Sequence, residues 1–270
     1  RGGGGNFGVV TRLKFRLREV EQVIGGMLAL PASPETITAF VAEADAAPDE
    51  LSAIANIMVA PPMPFVPAEH HGELIMMCLV AHVGVTEQGQ QLLDRFRALA
   101  TPVVDMLGPM RYPELYDVMG SPPPLEETEV ARTAFVDGVD RDAADVILER
   151  LRSSSAPMAV AQIRALGGAM ARVPADATAF AHRDRRFMAA LGAIFMDPEE
   201  TAAHESWVAG FADDLRGDST GAYVNFLSHD GPARIREAYP GATWDRLTAI
   251  KARYDPTNLF HLNQNIPPAA

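Results

Sequence analysis

Tyr223 and Asn225 are the first pair whose types and spacing allow chemistry. They lie in TGAYVNFLSHDG (220–231), which reads as a short strand and a turn. Residues two apart on a strand share a face. A phenol beside a carboxamide can accept a proton while its neighbour holds it. The same pair can also simply close a buried hydrogen-bond network, and the spacing leaves both readings open. Asn263 and Asn265 repeat the arrangement in Leu262-Asn263-Gln264-Asn265-Ile266. Amides both donate and accept, so they suit a heterocycle that carries both kinds of group. They suit equally the capping of backbone in an irregular tail.

Gly3-Gly4-Gly5-Asn6-Phe7-Gly8 formally matches G-x-G-x-x-G. A nucleotide-binding version needs a strand before it and a helix after it, so that the helix N-terminus meets the pyrophosphate. Here the β-branched Val9, Val10 and Thr11 follow, which excludes a nicotinamide dehydrogenase of that type. What remains is a flexible glycine turn, or a backbone that approaches a flat ligand with Asn6 or Phe7 at its edge. His70 and His71, near Glu69 and Glu73, make no metal site: neighbours in an extended loop point apart, and no third ligand follows at a usable spacing. His182 and Arg183 either face a substrate or form a solvated turn. Ser153–Ser155 has no nucleophile context. Cys78, inside LIMMCLVA (74–81), reads as a packed core thiol.

These residues need elements to position them. VVTRLKFRLREV (9–20) alternates Leu13, Phe15 and Leu17 with cations, the pattern of a half-buried strand. Strands are expected at 23–30, 51–60, 73–83, 130–136, 157–166 and 185–196. Helices are expected at 33–47, 86–100, 140–152 and 197–216. Ser33, Thr86 and Asp197 serve as caps, and Pro34 and Pro198 sit at first helical positions. Residues 101–128 read as irregular, with one short helix around 113–119 and a linker-like SPPPLEET (121–128). A last helix is expected over 243–254, capped by Thr243. The tail 256–268 has no period and needs specific contacts to be ordered.

The order strand, helix, strand, strand, helix occurs twice. Two split β-α-β units side by side predict an α+β fold, with one large, mainly antiparallel sheet covered by helices on one face. The other face stays free to wall a ligand site or to meet a second copy in a homodimer.

The chain has 270 residues, 48% apolar and 21% charged, a globular balance. Its net charge of −12 argues against nucleic acid as a partner. The longest strand-like apolar run is far too short to cross a bilayer, so no membrane partner is expected. A single cysteine allows no internal disulfide, which fits a cytoplasmic setting; secretion stays open. The sequence opens at Arg1 within a glycine run and reads as the C-terminal piece of a longer polypeptide.

Taken together, the two ends resemble one family. RGGGGNFGVVT at the start, YVNF, and KARYDPTNLFHLNQNI near the end are similar to the berberine bridge enzyme-like flavoproteins of the vanillyl-alcohol-oxidase (PCMH-type) superfamily. Leu166-Gly167-Gly168-Ala169, Thr178-Ala179-Phe180 and His182-Arg183 add to the likeness. It covers the whole chain but only the C-terminal part of a typical member. It implies that residues 1–20 are the last strand of an FAD-binding domain. Residues 21–218 would be the substrate domain, whose sheet covers the isoalloxazine, and residues 219–270 a segment returning to the FAD domain.

By the same resemblance Gly5, Asn6, Phe7, Gly8, Val9 and Val10 pass close to FAD. Tyr223 is the catalytic base of the Y-x-N motif, and Asn225 fixes the flavin or the tyrosine. Asn263 and Asn265 lie near the cofactor, and His182 belongs to the substrate wall. The implied activity is that of an FAD-dependent oxidoreductase, an oxidase or a dehydrogenase. It would pass a hydride from an alcohol, sugar or secondary-metabolite C–H to flavin N5. A tyrosine with an ordinary pKa of about 10 needs nearby positive charge or donors for that role. The implied partners are a small-molecule substrate and the N-terminal FAD-binding region of the same polypeptide. That region carries the histidine and cysteine that attach flavin covalently in many members. This piece alone is expected to bind FAD poorly and to be inactive. The rival reading is a non-catalytic binding or assembly module that keeps the fold without the cofactor.

Overall fold

The computed structural model describes residues 2–118, 127–217, 219–227 and 231–269. In chain order the elements are β1 (Gln22–Pro31), α1 (Pro34–Asp45), β2 (Leu51–Val59), β3 (Leu74–Val83), α2 (Glu87–Arg97), β4 (Val104–Asp105), β5 (Gly108–Arg111) and α3 (Leu115–Val118). Then follow β6 (Thr128–Val136), α4 (Arg141–Arg152), β7 (Met158–Ala165), α5 (Gly168–Ala171), β8 (Phe187–Phe195), α6 (Thr201–Arg216), α7 (Gly231–Ala238) and α8 (Ala242–Tyr254).

The strands form one eight-stranded sheet in the order β4-β1-β3-β2-β7-β8-β6, with β5 also paired to β1. Every pairing is antiparallel. β3 lies between β1 and β2, and β8 lies between β6 and β7. Each half is therefore a split β-α-β unit, and the halves meet along β2 and β7, where Asn56 faces Gln162 and Ile54 faces Arg164.

The helices cover one face because their apolar residues recur at helical spacing. α4 buries Ala144, Ile147, Leu148 and Leu151, and α2 buries Leu93 and Phe96. Phe40 of α1 meets Phe96 edge to face at 5.6 Å. Opposite them the strands supply Ala53, Ala55 and Ile57 from β2 and Ala159, Ala161 and Ile163 from β7. Each fully buried large aliphatic or aromatic side chain contributes about 1.5–3 kcal/mol. The intervening residues of β2 and β7 point the other way and stay half exposed, so the second face of the sheet is open here. The caps at Ser33, Thr86 and Asp140 each accept a backbone N–H of the first turn. Asp197 does so for the short 3₁₀ turn that precedes α6.

A second, smaller core gathers the two ends. Ala179, Ala222, Leu227, Ala238, Tyr239, Leu247 and Ile266 are buried together, with Phe7 and Trp244 against them. Tyr239 donates from Oη to the Gly2 carbonyl at 2.9 Å, and burial raises its phenol pKa to about 12. No helix among the described residues is long and apolar enough to cross a membrane.

Four sequence expectations change. Residues 9–20 form no strand: Val9, Val10, Leu13, Phe15 and Leu17 are all exposed, and Leu17 reaches 87%. An alternating pattern becomes a strand only against a neighbour, and no strand of this sheet pairs with it. Residues 220–227 also form no strand; Val224–Phe226 is a 3₁₀ turn. The last helix starts one residue early, from Gly241 at φ 53, so Thr243 lies inside it rather than at its cap. Finally, the stretch expected to be irregular after residue 101 contains β4 and β5, which pair with the outer edge of β1, and α7 was not foreseen. Residues 121–126 of the expected linker lie outside the described residues.

Candidate active site

Tyr223 and Asn225 meet although neither is on a strand. Within the 3₁₀ turn, Asn225 Nδ2 donates to Tyr223 Oη at 2.8 Å. The turn closes through Phe226 N donating to the Tyr223 carbonyl at 2.9 Å. Aromatic rings hold the phenol in place. Phe180 stands edge-on to Tyr223 at 5.3 Å, and Phe226 lies 5.6 Å away, tilted. Edge-to-face packing of this kind fixes ring orientation as well as burying area. Arg183 lies over the Phe180 ring at 5.0 Å and donates to Thr178 Oγ1 at 2.8 Å. The turn thus sits on a braced aromatic shelf.

Arg164, from the open face of β7, reaches this shelf. Its guanidinium lies 5.1 Å from the Phe226 ring centroid. Desolvation lowers its pKa, and the nearby Tyr223 oxygen acts in the opposite sense. Sequence reading passed over Arg164. The signal available was the pair Gln162 and Arg164 at polar positions of an otherwise apolar strand.

The glycine turn and the tail are joined by Asn6, which is 3% exposed. Asn6 Nδ2 donates to the Gly3 and Gln264 carbonyls, both at 3.0 Å, and its Oδ1 accepts from Ile266 N at 2.8 Å. Its side chain is fully occupied within the protein, so it can serve a ligand only through backbone. Gln264 Nε2 in turn donates to the Leu227 carbonyl at 2.6 Å, which ties the tail to the tyrosine turn.

Behind the glycine turn lies Lys251, fully buried, whose Nζ donates to the Asn6 carbonyl (2.6 Å), Asp255 Oδ2 (2.6 Å) and the Phe260 carbonyl (2.7 Å). Asp255 also accepts from Leu259 N and Phe260 N. Burial works to raise the Asp255 carboxyl, but Lys251 and these amides outweigh it and hold it at about 2. The i, i+4 spacing of Lys251 and Asp255 was visible in KARYD; its burial was not.

The other expected site residues divide. Asn263 is exposed, and a Cβ on Gly5 would lie 3.8 Å from its amide nitrogen, so those two face each other. Asn265 Oδ1 is buried with no partner among the described residues. Phe7 joins the small core, whereas Gly8, Val9 and Val10 lead away from it into the exposed segment.

His182 corrects the expectation of a substrate-facing ring. It is 6% exposed, packs 4.8 Å from Phe135, and pairs through Nε2 with the Glu237 carbonyl at 3.0 Å. It therefore wedges the sheet against α7. Cys78 is wholly buried and its thiol pKa is raised by that burial, as expected of a core residue. His70 pairs with Glu73 at 2.8 Å while His71 meets the Val66 carbonyl, so the two rings diverge.

The antiparallel sheet of two split units with helices on one face recurs in several solved oxidase structures. The structure of 6-hydroxy-D-nicotine oxidase from Arthrobacter nicotinovorans shares it with a TM-score of 0.82 at 19% identity, over 100% of this chain and 60% of that one. Xylooligosaccharide oxidase from Myceliophthora thermophila, solved with xylobiose, shares it with a TM-score of 0.78 at 19% identity, again over 100% and 60%. Residues 222–267 match the family model "Berberine and berberine like". An FAD-linked oxidoreductase of Dictyostelium discoideum is 26% identical over 274 residues, 99% of this chain and 57% of that protein. Its C-terminal segment is thus similar to berberine bridge enzyme-like proteins, and the chain spans just over half the length of the curated relatives it matches along its whole length.

Proposed function

We propose that this chain is the substrate-facing part of an FAD-dependent oxidoreductase that acts on a CH–OH donor, with Tyr223 as the base. The observation that carries the reading is the Asn225–Tyr223 hydrogen bond on an aromatic shelf beside the open sheet face. A proton acceptor must be held in one orientation, and this turn does that for Tyr223.

The residues present suit a flavin ring. Asn265 Oδ1 is a buried acceptor that a ligand N–H would satisfy, and Gly5 with Asn263 presents backbone and amide side by side. Asn225 and Asn263 add exposed amides of both hydrogen-bonding kinds. FAD, when bound, supplies the hydride acceptor at its N5. Tyr223, as phenolate, would take the hydroxyl proton of the substrate while the carbinol hydride would leave to that acceptor, giving a carbonyl product. Asn225 donates to the Tyr223 oxygen and holds its position. Phe180 and Phe226 pack against the Tyr223 ring and fix its direction. The N-terminal FAD-binding region of the parent polypeptide completes the cofactor site.

The test uses the complete polypeptide. A visible spectrum after incubation with FAD and desalting shows retained flavin if the reading holds. Tyr223→Phe then lowers the rate of flavin reduction by about 10²-fold or more. Near-normal reduction in that variant removes Tyr223 from the role. A colourless complete polypeptide favours the rival reading of a non-catalytic module.

A further inference from the structure

A row of polar side chains crosses the open face where the two halves of the sheet meet. Asn56 of β2 and Gln162 of β7 are register partners, and Gln162 Nε2 donates to Asn56 Oδ1 at 2.6 Å. Gln162 Oε1 accepts from Arg164 Nε at 2.5 Å. Ile54, Met58 and Val160 share this face and surround the row with apolar surface. The row aims Arg164. One edge of its guanidinium is spent on Gln162, and among the described residues Nη1 and Nη2 have no hydrogen-bond acceptor or carboxylate partner.

This is an unusual place for a cation. Several arginines of this chain rest against a carboxylate at the surface, as Arg97 does with Asp105 and Arg172 with Asp49. Arg164 instead is partly withdrawn from water among apolar groups and keeps a free two-pronged donor edge. A desolvated, unpaired guanidinium costs free energy that an arriving anion recovers. Its planar fork matches a carboxylate with two parallel N–H···O bonds. The Phe226 ring packs against both this guanidinium and Tyr223.

We propose that Arg164 is the anion anchor of the substrate site and that the substrate is a hydroxy acid. Its carboxylate sits on Nη1 and Nη2, and its carbinol carbon lies toward Tyr223. The inference rests on the proposed oxidoreductase reading and adds to it a substrate class and the residue that selects it.

The experiment is calorimetric titration of the complete polypeptide with matched pairs, D-glucuronate against D-glucose and mandelate against mandelamide. The acid of at least one pair is expected to bind ~10-fold tighter than its neutral mate, with the advantage shrinking as salt is raised. Arg164→Gln is expected to abolish the preference and Arg164→Lys to restore part of it. The wild-type comparison decides without any variant, so misfolding of a variant leaves the test intact. Equal binding of acid and neutral mate, no binding by any member, or a preference that survives Arg164→Gln overturns the anchor. A protein that prefers acids but holds no flavin overturns the oxidoreductase reading alone. One that holds flavin without the preference overturns the anchor alone.

Discussion

A lysine ammonium sealed from water must find every partner inside the protein, and Lys251 finds three. Replacing it by methionine strands the Asp255 carboxylate. Lys251→Met is therefore expected to lower the melting temperature well below that of Lys14→Met, whose side chain is exposed; scanning calorimetry compares them. Asp255 and His182 also set two separate acid windows. The Asp255 pKa is depressed to about 2, so its contribution is complete above the ordinary carboxyl value of about 3.9 and is lost as pH falls toward 2. His182 is depressed chiefly by desolvation. Its neutral form is favoured in the folded state, so its contribution is complete above about pH 6.5 and declines as pH drops below that value. His182→Gln, which can still donate to the Glu237 carbonyl, is expected to flatten this upper limb in a series of melts against pH. Residue types and spacing alone pointed to the Tyr223–Asn225 contact, because that pairing is local in sequence. Arg164 and the true place of His182 depend on partners from β2, α7 and the tyrosine turn, which no local spacing records.

At the scale of elements, caps behave as local chemistry predicts. Asp140 accepts from Ala143 N at 2.9 Å, and Asp140→Ala is expected to cost about 1 kcal/mol in chemical denaturation. Gly221 is a tertiary case. It sits at φ +115, and an added Cβ would lie 2.6 Å from the His182 ring. Gly221→Ala is expected to cost about 1–3 kcal/mol and to slow flavin reduction in the complete protein, because the Tyr223 turn begins two residues later. Substrate affinity in that variant is the control, and it stays near wild type. The sheet and its four covering helices were legible because each carries its own period. The segment 9–20 carries a period as well, yet it remains extended and exposed here. Period reports which face a strand would bury, and pairing requires a partner that the period does not name. The tyrosine turn failed for the opposite reason: three residues of 3₁₀ geometry are too short to show any period.

The whole molecule is a doubled unit with one covered and one open face. The exposed segment 9–17 belongs to neither core. Replacing Leu13, Phe15 and Leu17 together by serine is expected to leave the melting temperature of this chain unchanged, since each is already exposed. In the complete polypeptide the same triple change is expected to reduce retained flavin after desalting, if the segment joins the FAD-binding region. The strict alternation along β2 and β7 divides labour between neighbours in sequence. Ala55, Ala161 and Ile163 hold the helices, while Asn56, Gln162 and Arg164, one position away, hold nothing in that core. Mutational libraries confined to Ile54, Asn56, Val160, Gln162 and Arg164 should therefore yield mostly folded proteins. If this face meets the substrate as proposed, lineages that drift at these five positions change diet without renegotiating their architecture.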